Sequence, residues 1–270
     1  MTPSVHLYAT CWNDVRQLEF FFRHYDPTVE RYVIFDDDST DGSLELLRGH
    51  PRVDVRRFAR TIADSFVLSE LDLFNSCWKE SRGGQGTAAP ADWVIVCSLD
   101  EHLVHRDFSA YLLRCSTAGI TVIPALGFQM VTDEFPKSGE RLCETRTWGV
   151  AEPYDCKLSV FCPTAIQEIN YEEGGHVAAP VGRVLAPRRD ELLLQHYQLL
   201  GLDYTVARFA ELRTGLGPLD RARGWGTHYD QSRQELAQRL ADYGSRAVNT
   251  SVEASIGYRP PKWWTTLPRL

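Results

Sequence analysis

Three consecutive carboxylates, Asp36-Asp37-Asp38, end the apolar run Tyr32-Val33-Ile34-Phe35 and lead into Ser39-Thr40-Asp41-Gly42-Ser43. Adjacent acids repel one another, so clustering them adds little to stability. They serve better as acceptors for a ligand rich in hydrogen-bond donors, or as neighbours of a bound cation. A second apolar run, Trp93-Val94-Ile95-Val96-Cys97, ends in Ser98-Leu99-Asp100-Glu101 and supplies more hard oxygens. Two acid-tipped strands in one sheet predict a nucleotide and a divalent metal held together, because ligands of open α/β sheets bind beyond the carboxyl ends of the strands.

The elements that must hold these tips follow from hydrophobic periodicity. Val5–Thr10, Arg31–Phe35, Val53–Phe58 and Trp93–Cys97 read as strands. Between them, Val15–Tyr25 repeats apolar residues every three or four positions, Ser43–Arg48 is a short helix capped by Asp41, and Ser65–Trp78 is a longer amphipathic helix. A polar, glycine-rich loop spans Ser81–Ala91. Strands alternating with helices mark a parallel sheet, so residues 1–105 read as the nucleotide-binding half. Residues 106–270 are less regular and read as the acceptor-side half and C-terminal helices of the same domain. A helix is expected over Phe108–Cys115, strands at Ile120–Ile123, Gln129–Val131, Leu158–Phe161 and Leu192–His196, and helices at Asp203–Thr214 and Gln231–Tyr243. Three prolines keep the tail from Arg259 to Leu270 from forming a long helix.

These motifs resemble the nucleotide-sugar-dependent glycosyltransferases of the GT-A fold, in particular the family-2-like group. Thr10-Cys11-Trp12-Asn13 matches its Thr/Ser-x-x-Asn turn, Asp36–Ser43 its Asp-Asp-x-Ser-x-Asp-Gly-Ser/Thr pattern, and Ser98-Leu99-Asp100-Glu101-His102 its Asp-x-Asp-Glu-Phe-like metal motif. The likeness spans roughly residues 5–105 and, more loosely, 157–200. Ser98 stands where the metal motif has its first Asp, and His102 where it has an aromatic residue. The resemblance implies an α/β fold of one domain, a Rossmann-like mixed sheet flanked by helices.

It also implies roles. Asp36 and Asp37 would take the base or ribose, with Thr10, Trp12 and Asn13 beside them and Trp12 stacking on the base. Asp100, the motif's last Asp, would ligate Mn²⁺ or Mg²⁺ bridging the donor diphosphate, with Glu101 nearby in a catalytic or sugar-contacting role. Lys157 would pair with phosphate. His176, in the glycine-flanked loop Glu172–Val177, would complete the metal or diphosphate site, and His196 would serve the acceptor or phosphate side. For the base that takes the acceptor proton, Asp133-Glu134 is the expected pair and Glu172-Glu173 the alternative. The expected partners are a nucleoside-diphosphate sugar and a small-molecule or glycan acceptor.

Bulk properties narrow the field. The 270 residues, 43% apolar and 24% charged, are enough for a sizeable core. A net charge of -7 disfavours a nucleic-acid surface. There is no apolar run of membrane-spanning length and no basic-then-apolar leader, so the cytoplasm is the expected location. Seven cysteines without a CxxC pair read as reduced, buried small residues. Two rivals remain beside a transferase: a sugar nucleotidyltransferase, whose glycine-rich basic loop is missing after the first strand, and a degenerate GT-A-fold protein that binds without turnover. No Gly-x-Ser-x-Gly elbow supports a serine hydrolase.

Overall fold

A computed structural model describes residues 2–83, 90–251 and 257–270. Four parallel strands form its first half: β1 (Val5–Cys11), β2 (Arg31–Asp36), β3 (Val53–Arg57) and β4 (Trp93–Val96). They lie in the order β3-β2-β1-β4, so β1 is central. The helices α1 (Val15–Tyr25), α2 (Ser43–Gly49) and α3 (Phe66–Phe74) connect them, the last followed by a 3₁₀ turn at Cys77–Arg82. The apolar stripe of α1 buries Leu18, Phe21 and Tyr25 against the sheet. Each large side chain buried this way contributes about 1.5–3 kcal/mol. The N-cap of α2 is Gly42 rather than the expected Asp41, which sits one residue earlier and accepts from the backbone N–H of Ser43 at 2.9 Å and from that of Val15 at 2.9 Å. One acid therefore secures the starts of two helices.

The second half completes the same sheet with mixed strands. After β5 (Glu101–Val104) and α4 (Phe108–Thr117) come β6 (Val122–Thr132), α5 (Leu142–Thr145), β7 (Trp148–Ala151) and β8 (Lys157–Phe161). A separate two-stranded ribbon pairs β9 (Ile166–Glu168) with β10 (Val181–Gly182). The chain then runs through β11 (Leu192–Leu200), α6 (Leu202–Gly215), α7 (Pro218–Ala222), α8 (Arg233–Arg246) and β12 (Val248–Asn249). Strand β8 enters antiparallel between β4 and β6, fusing both halves into one ten-stranded sheet. β11 runs parallel to β6 and antiparallel to β5. The architecture is the mixed, helix-flanked α/β sheet expected.

Several boundaries differ from expectation. The two strands expected at 120–123 and 129–131 are one continuous strand, β6, because the intervening Pro124–Phe128 segment is buried along its length and pairs with β11. The helix expected over Ser65–Trp78 stops at Phe74, and Trp78 instead belongs to the 3₁₀ turn. Of the loop expected at Ser81–Ala91, residues 84–89 lie outside the described residues. All seven cysteines are free; Cys11, Cys97, Cys115 and Cys156 are buried and Cys77, Cys143 and Cys162 half-buried. Among the described residues no helix is long and apolar enough to cross a membrane.

Candidate functional site

A cleft of about 810 Å³ opens beyond the carboxyl ends of β1 and β4, within the size range of small-molecule sites. The end of β1 contributes Thr10 to Trp12, and the turn after β4 contributes Ser98 to Glu101. Helix α6, through Arg208 and Leu212, and the segment from Gly224 to Tyr229 cover the cleft from the second half.

Its floor is charged and ordered by strand register. Pairing of β11 with β5 sets His196 opposite Glu101. His196 bridges two carboxylates, with Nε2 3.3 Å from Asp100 Oδ2 and Nδ1 3.2 Å from Asp155 Oδ1. A ring that donates from both nitrogens is an imidazolium. Burial opposes that charge, yet the two carboxylates outweigh it and hold the His196 pKa well above that of ordinary histidine. Burial would likewise raise Asp100 and Asp155, but His196 keeps both below the usual carboxylate range. Asp155 Oδ2 is buried without a hydrogen-bond partner. Beside this triad, Lys157 Nζ lies 2.6 Å from Glu101 Oε1, with the Glu101 side chain 1% exposed. Glu101 Oε2 also accepts from the Ser98 N–H at 3.1 Å. Burial disfavours the Lys157 charge, but Glu101 reverses the effect and raises its pKa.

Apolar side chains also line the cleft. They include Phe66, Val67, Trp12 and Leu216, and Glu70 stands among them. Thr10 Oγ1 donates to Glu70 Oε1 at 2.7 Å. Burial pushes the Glu70 pKa up to about 7, helped by Glu101 and Asp100 and opposed by Thr10 and Lys157. Asp14 is bound by Arg208, which also donates to the Trp12 and Asn13 carbonyls. Burial still lifts Asp14 to about 6. The start of α3 is fixed from the far half: Asp220, fully buried, accepts from the Ser65 hydroxyl, and at 2.8 Å each from the N–H groups of Phe66 and Gly217.

The expected site residues separate into three groups. Thr10, Trp12, Asp100, Glu101, Lys157, His176 and His196 line the cleft together. A second group lies outside its lining and holds the turns beneath it. Asp36 is buried and accepts from the Ser39 N–H at 3.1 Å. Asp37 is bound by Arg60 at 2.6 Å, and the side chain of Asn13 bridges the Thr40 N–H and Glu211. The third group is remote. Asp133 and Glu134, expected to supply the base, are exposed in a separate depression with Arg146 and Trp148. The cause is the unbroken course of β6: Gln129 lines the cleft, and three further extended residues carry the chain roughly 10 Å beyond it. The alternative pair, Glu172 and Glu173, is exposed at the cleft lining.

His176 reaches the cleft, but its ring is committed elsewhere. Its Nδ1 donates to the Tyr154 carbonyl at 2.5 Å, and the ring packs 3.7 Å from that of Tyr154. Burial, followed by Lys157, lowers its pKa to about 3. Gly174 is what permits this fold-back: its φ is +71°, and a Cβ there would stand 2.5 Å from His176 Nε2. Gly174 thus accommodates the imidazole itself. Among the described residues no set of three His, Cys, Asp or Glu side chains could by itself hold a metal ion.

Sequence reasoning missed Asp155, Glu70, Arg60, Asp14 and Arg208. Each acts through a partner distant in sequence, as Glu70 does with Thr10 and Asp155 with His196. Asp14, adjacent to the recognised Asn13, is the one whose position carried a signal.

The sequence matches no protein-family model and no curated protein. Among solved structures it is similar to the crystal structure of residues 1–349 of S. aureus TarS, at 10% identity and a TM-score of 0.35, covering 59% of this chain and 47% of that one. The same TarS fragment in complex with UDP-GlcNAc aligns at 9% identity and a TM-score of 0.33, covering 59% of this chain and 45% of that one. The chain thus spans under half the length of these structures.

Proposed function

We propose that this chain is a glycosyltransferase that moves a sugar from a nucleoside-diphosphate sugar to a small-molecule or glycan acceptor. The observation that carries the reading is the mixed lining of the cleft. Apolar side chains suited to a nucleoside, among them Phe66, Val67 and Trp12, share the lining with a floor where His196 and Lys157 carry positive charge among Asp100, Asp155 and Glu101. This mixed lining lies at the strand ends where α/β sheets bind ligands, and Thr10, Trp12, Asp100 and Glu101 of the resembled motifs are part of it.

In this reading the acceptor oxygen attacks the anomeric carbon as the bond to the diphosphate oxygen breaks, the electron pair leaving with the nucleoside diphosphate. Lys157 and His196 face the charge that develops on that leaving group, in a partly dry site where such charge is stabilised most. Glu101 positions Lys157, and Asp155 positions His196. Glu172 and Glu173 at the cleft lining are the carboxylates available for the acceptor proton. A divalent cation, Mn²⁺ or Mg²⁺, belongs to the proposal. Asp100 and the unpartnered oxygen of Asp155 are the hard donors that would hold it, since such ions need only one or two carboxylates besides substrate phosphates. When bound, it would offset charge on the diphosphate.

Ser98 in place of an acid favours a second reading, a protein that binds the sugar nucleotide without turnover. A panel of labelled nucleoside-diphosphate sugars, incubated with candidate acceptors with and without Mn²⁺, separates the two. Release of free nucleoside diphosphate by the wild type, lost in His196→Ala, is expected. Binding without release would favour the second reading, and neither binding nor release would sink both.

A further inference from the structure

We infer that Glu70, held by Thr10, reads the nucleobase of the donor and selects bases with a ring N–H, uracil and guanine, over adenine and cytosine. The inference rests on the donor reading above and names the part of the donor that the α3 side of the lining recognises. Phe66 and Val67 precede Glu70 by four and three positions, so the three share one face of α3, and all line the cleft. An apolar wall with a single well-placed polar group is the form that fixes the orientation of a flat heterocycle.

The state of the carboxyl supports the same role. Asp14 is engaged by Arg208, Glu101 by Lys157, and Asp100 and Asp155 by His196. Glu70 has no ion-pair partner among the described residues, and its one hydrogen bond there is the 2.7 Å contact of Oε1 with the Thr10 hydroxyl. Oε2 is left to accept from a ligand. Asp37, the acid expected from the motif to contact the base, is instead occupied by Arg60 and lies outside the cleft lining. A carboxylate accepts from N3–H of uracil or N1–H of guanine. Adenine and cytosine present a lone pair at the corresponding ring nitrogen and repel it.

Calorimetric titration of the full chain at pH 8, where Glu70 with its pKa of about 7 is mostly ionised, with UDP, GDP, ADP and CDP tests this. UDP or GDP is expected to bind at least about tenfold tighter than both ADP and CDP, the worth of one charge-assisted hydrogen bond. Glu70→Ala should bring all four within about threefold, by weakening UDP and GDP and by relieving the repulsion of ADP and CDP. Glu70→Gln keeps the shape and the Thr10 contact, and its amide can donate to N3 of cytosine. That variant should narrow the gap between UDP and CDP even if the alanine variant fails to fold. Discrimination retained in a folded variant, or a wild type that prefers ADP or CDP, overturns the role of Glu70 and leaves the donor reading intact. A wild type that binds none of the four overturns the donor reading and this inference together.

Discussion

Arg60 grips Asp37 across 2.6 Å and, with the other arm of its guanidinium, donates to the Gly215 carbonyl at 3.1 Å. The acid at the tip of β2 is thereby tied to the end of α6, 155 residues from Arg60 in sequence. The Asp37 side chain is 12% exposed and that of Arg60 30%, so the pair is shielded enough to matter.

Asp37→Ala and Arg60→Ala should each cost about 1.5–3 kcal/mol of stability in urea unfolding, the range for a charge-assisted bond. Because both remove one interaction, the double variant should lose less than the sum of the singles by about 1 kcal/mol. Strictly additive losses would show that the two side chains do not act as a unit.

The buried pair of Lys157 and Glu101 makes a sharper case. Lys157→Met strands a carboxylate whose side chain is 1% exposed, and breaking such a pair costs about 3–5 kcal/mol. Replacing both partners, Lys157→Met with Glu101→Gln, should recover much of that loss, since two neutral groups leave no stranded charge. Thermal melts of the three proteins test the idea, and a double variant less stable than Lys157→Met would refute it.

His102 offers a prediction about pH. Its ring is fully buried, both ring nitrogens lack partners, and it stacks on His24 at 4.4 Å. Burial lowers the pKa of His24 to about 4 and that of His102 well below the ordinary value. Each ring is neutral in the fold and titrates near 6.5 once unfolded. Their stabilising contribution is therefore complete above pH 6.5 and falls as pH drops below it, for His24 by about 2 kcal/mol at pH 5. His102→Phe removes one of these rings and restores the aromatic residue of the resembled motif. Its melting temperature should match or exceed that of the wild type at pH 7.5 and drop less on acidification to pH 5. Equal drops would mean that His102 does not contribute to the acid sensitivity.

The parts of this fold legible in the sequence are those written locally. Apolar runs marked β1 to β4, the three- and four-residue spacing marked α1, and Asp41 marked the start of α2, because each depends on near neighbours. Strand β5 was hidden because it begins on the acid Glu101, whose partner Lys157 lies on β8. The acidic tip at Asp36–Asp38 was legible as charge, but the cations that occupy it were not. Arg60 takes Asp37 and Arg57 takes Asp38, and both arginines come from the chain at and just beyond β3. The cleft itself follows the same division. Thr10, Asp100, Lys157 and His196 carried motif signals, whereas Glu70 and Asp155 acquire their meaning only through contacts 60 and 41 residues away.

The hold of Asp220 on the start of α3 places a constraint on time. The Ser65 hydroxyl caps the Leu68 N–H locally, so the helix can begin to form as soon as it is synthesised. The Phe66 N–H waits for an acceptor 154 residues downstream. At ordinary rates of synthesis that interval is roughly 8–30 s. Throughout it, the helix that carries Glu70 lacks its anchor, and β4 gains the β8 neighbour that separates it from β6 only after Lys157–Phe161 has been made. The nascent chain can assemble its parallel strands early, but the cleft reaches its final form only once Asp220 and the lining residues beyond it, as far as Tyr243, have been made.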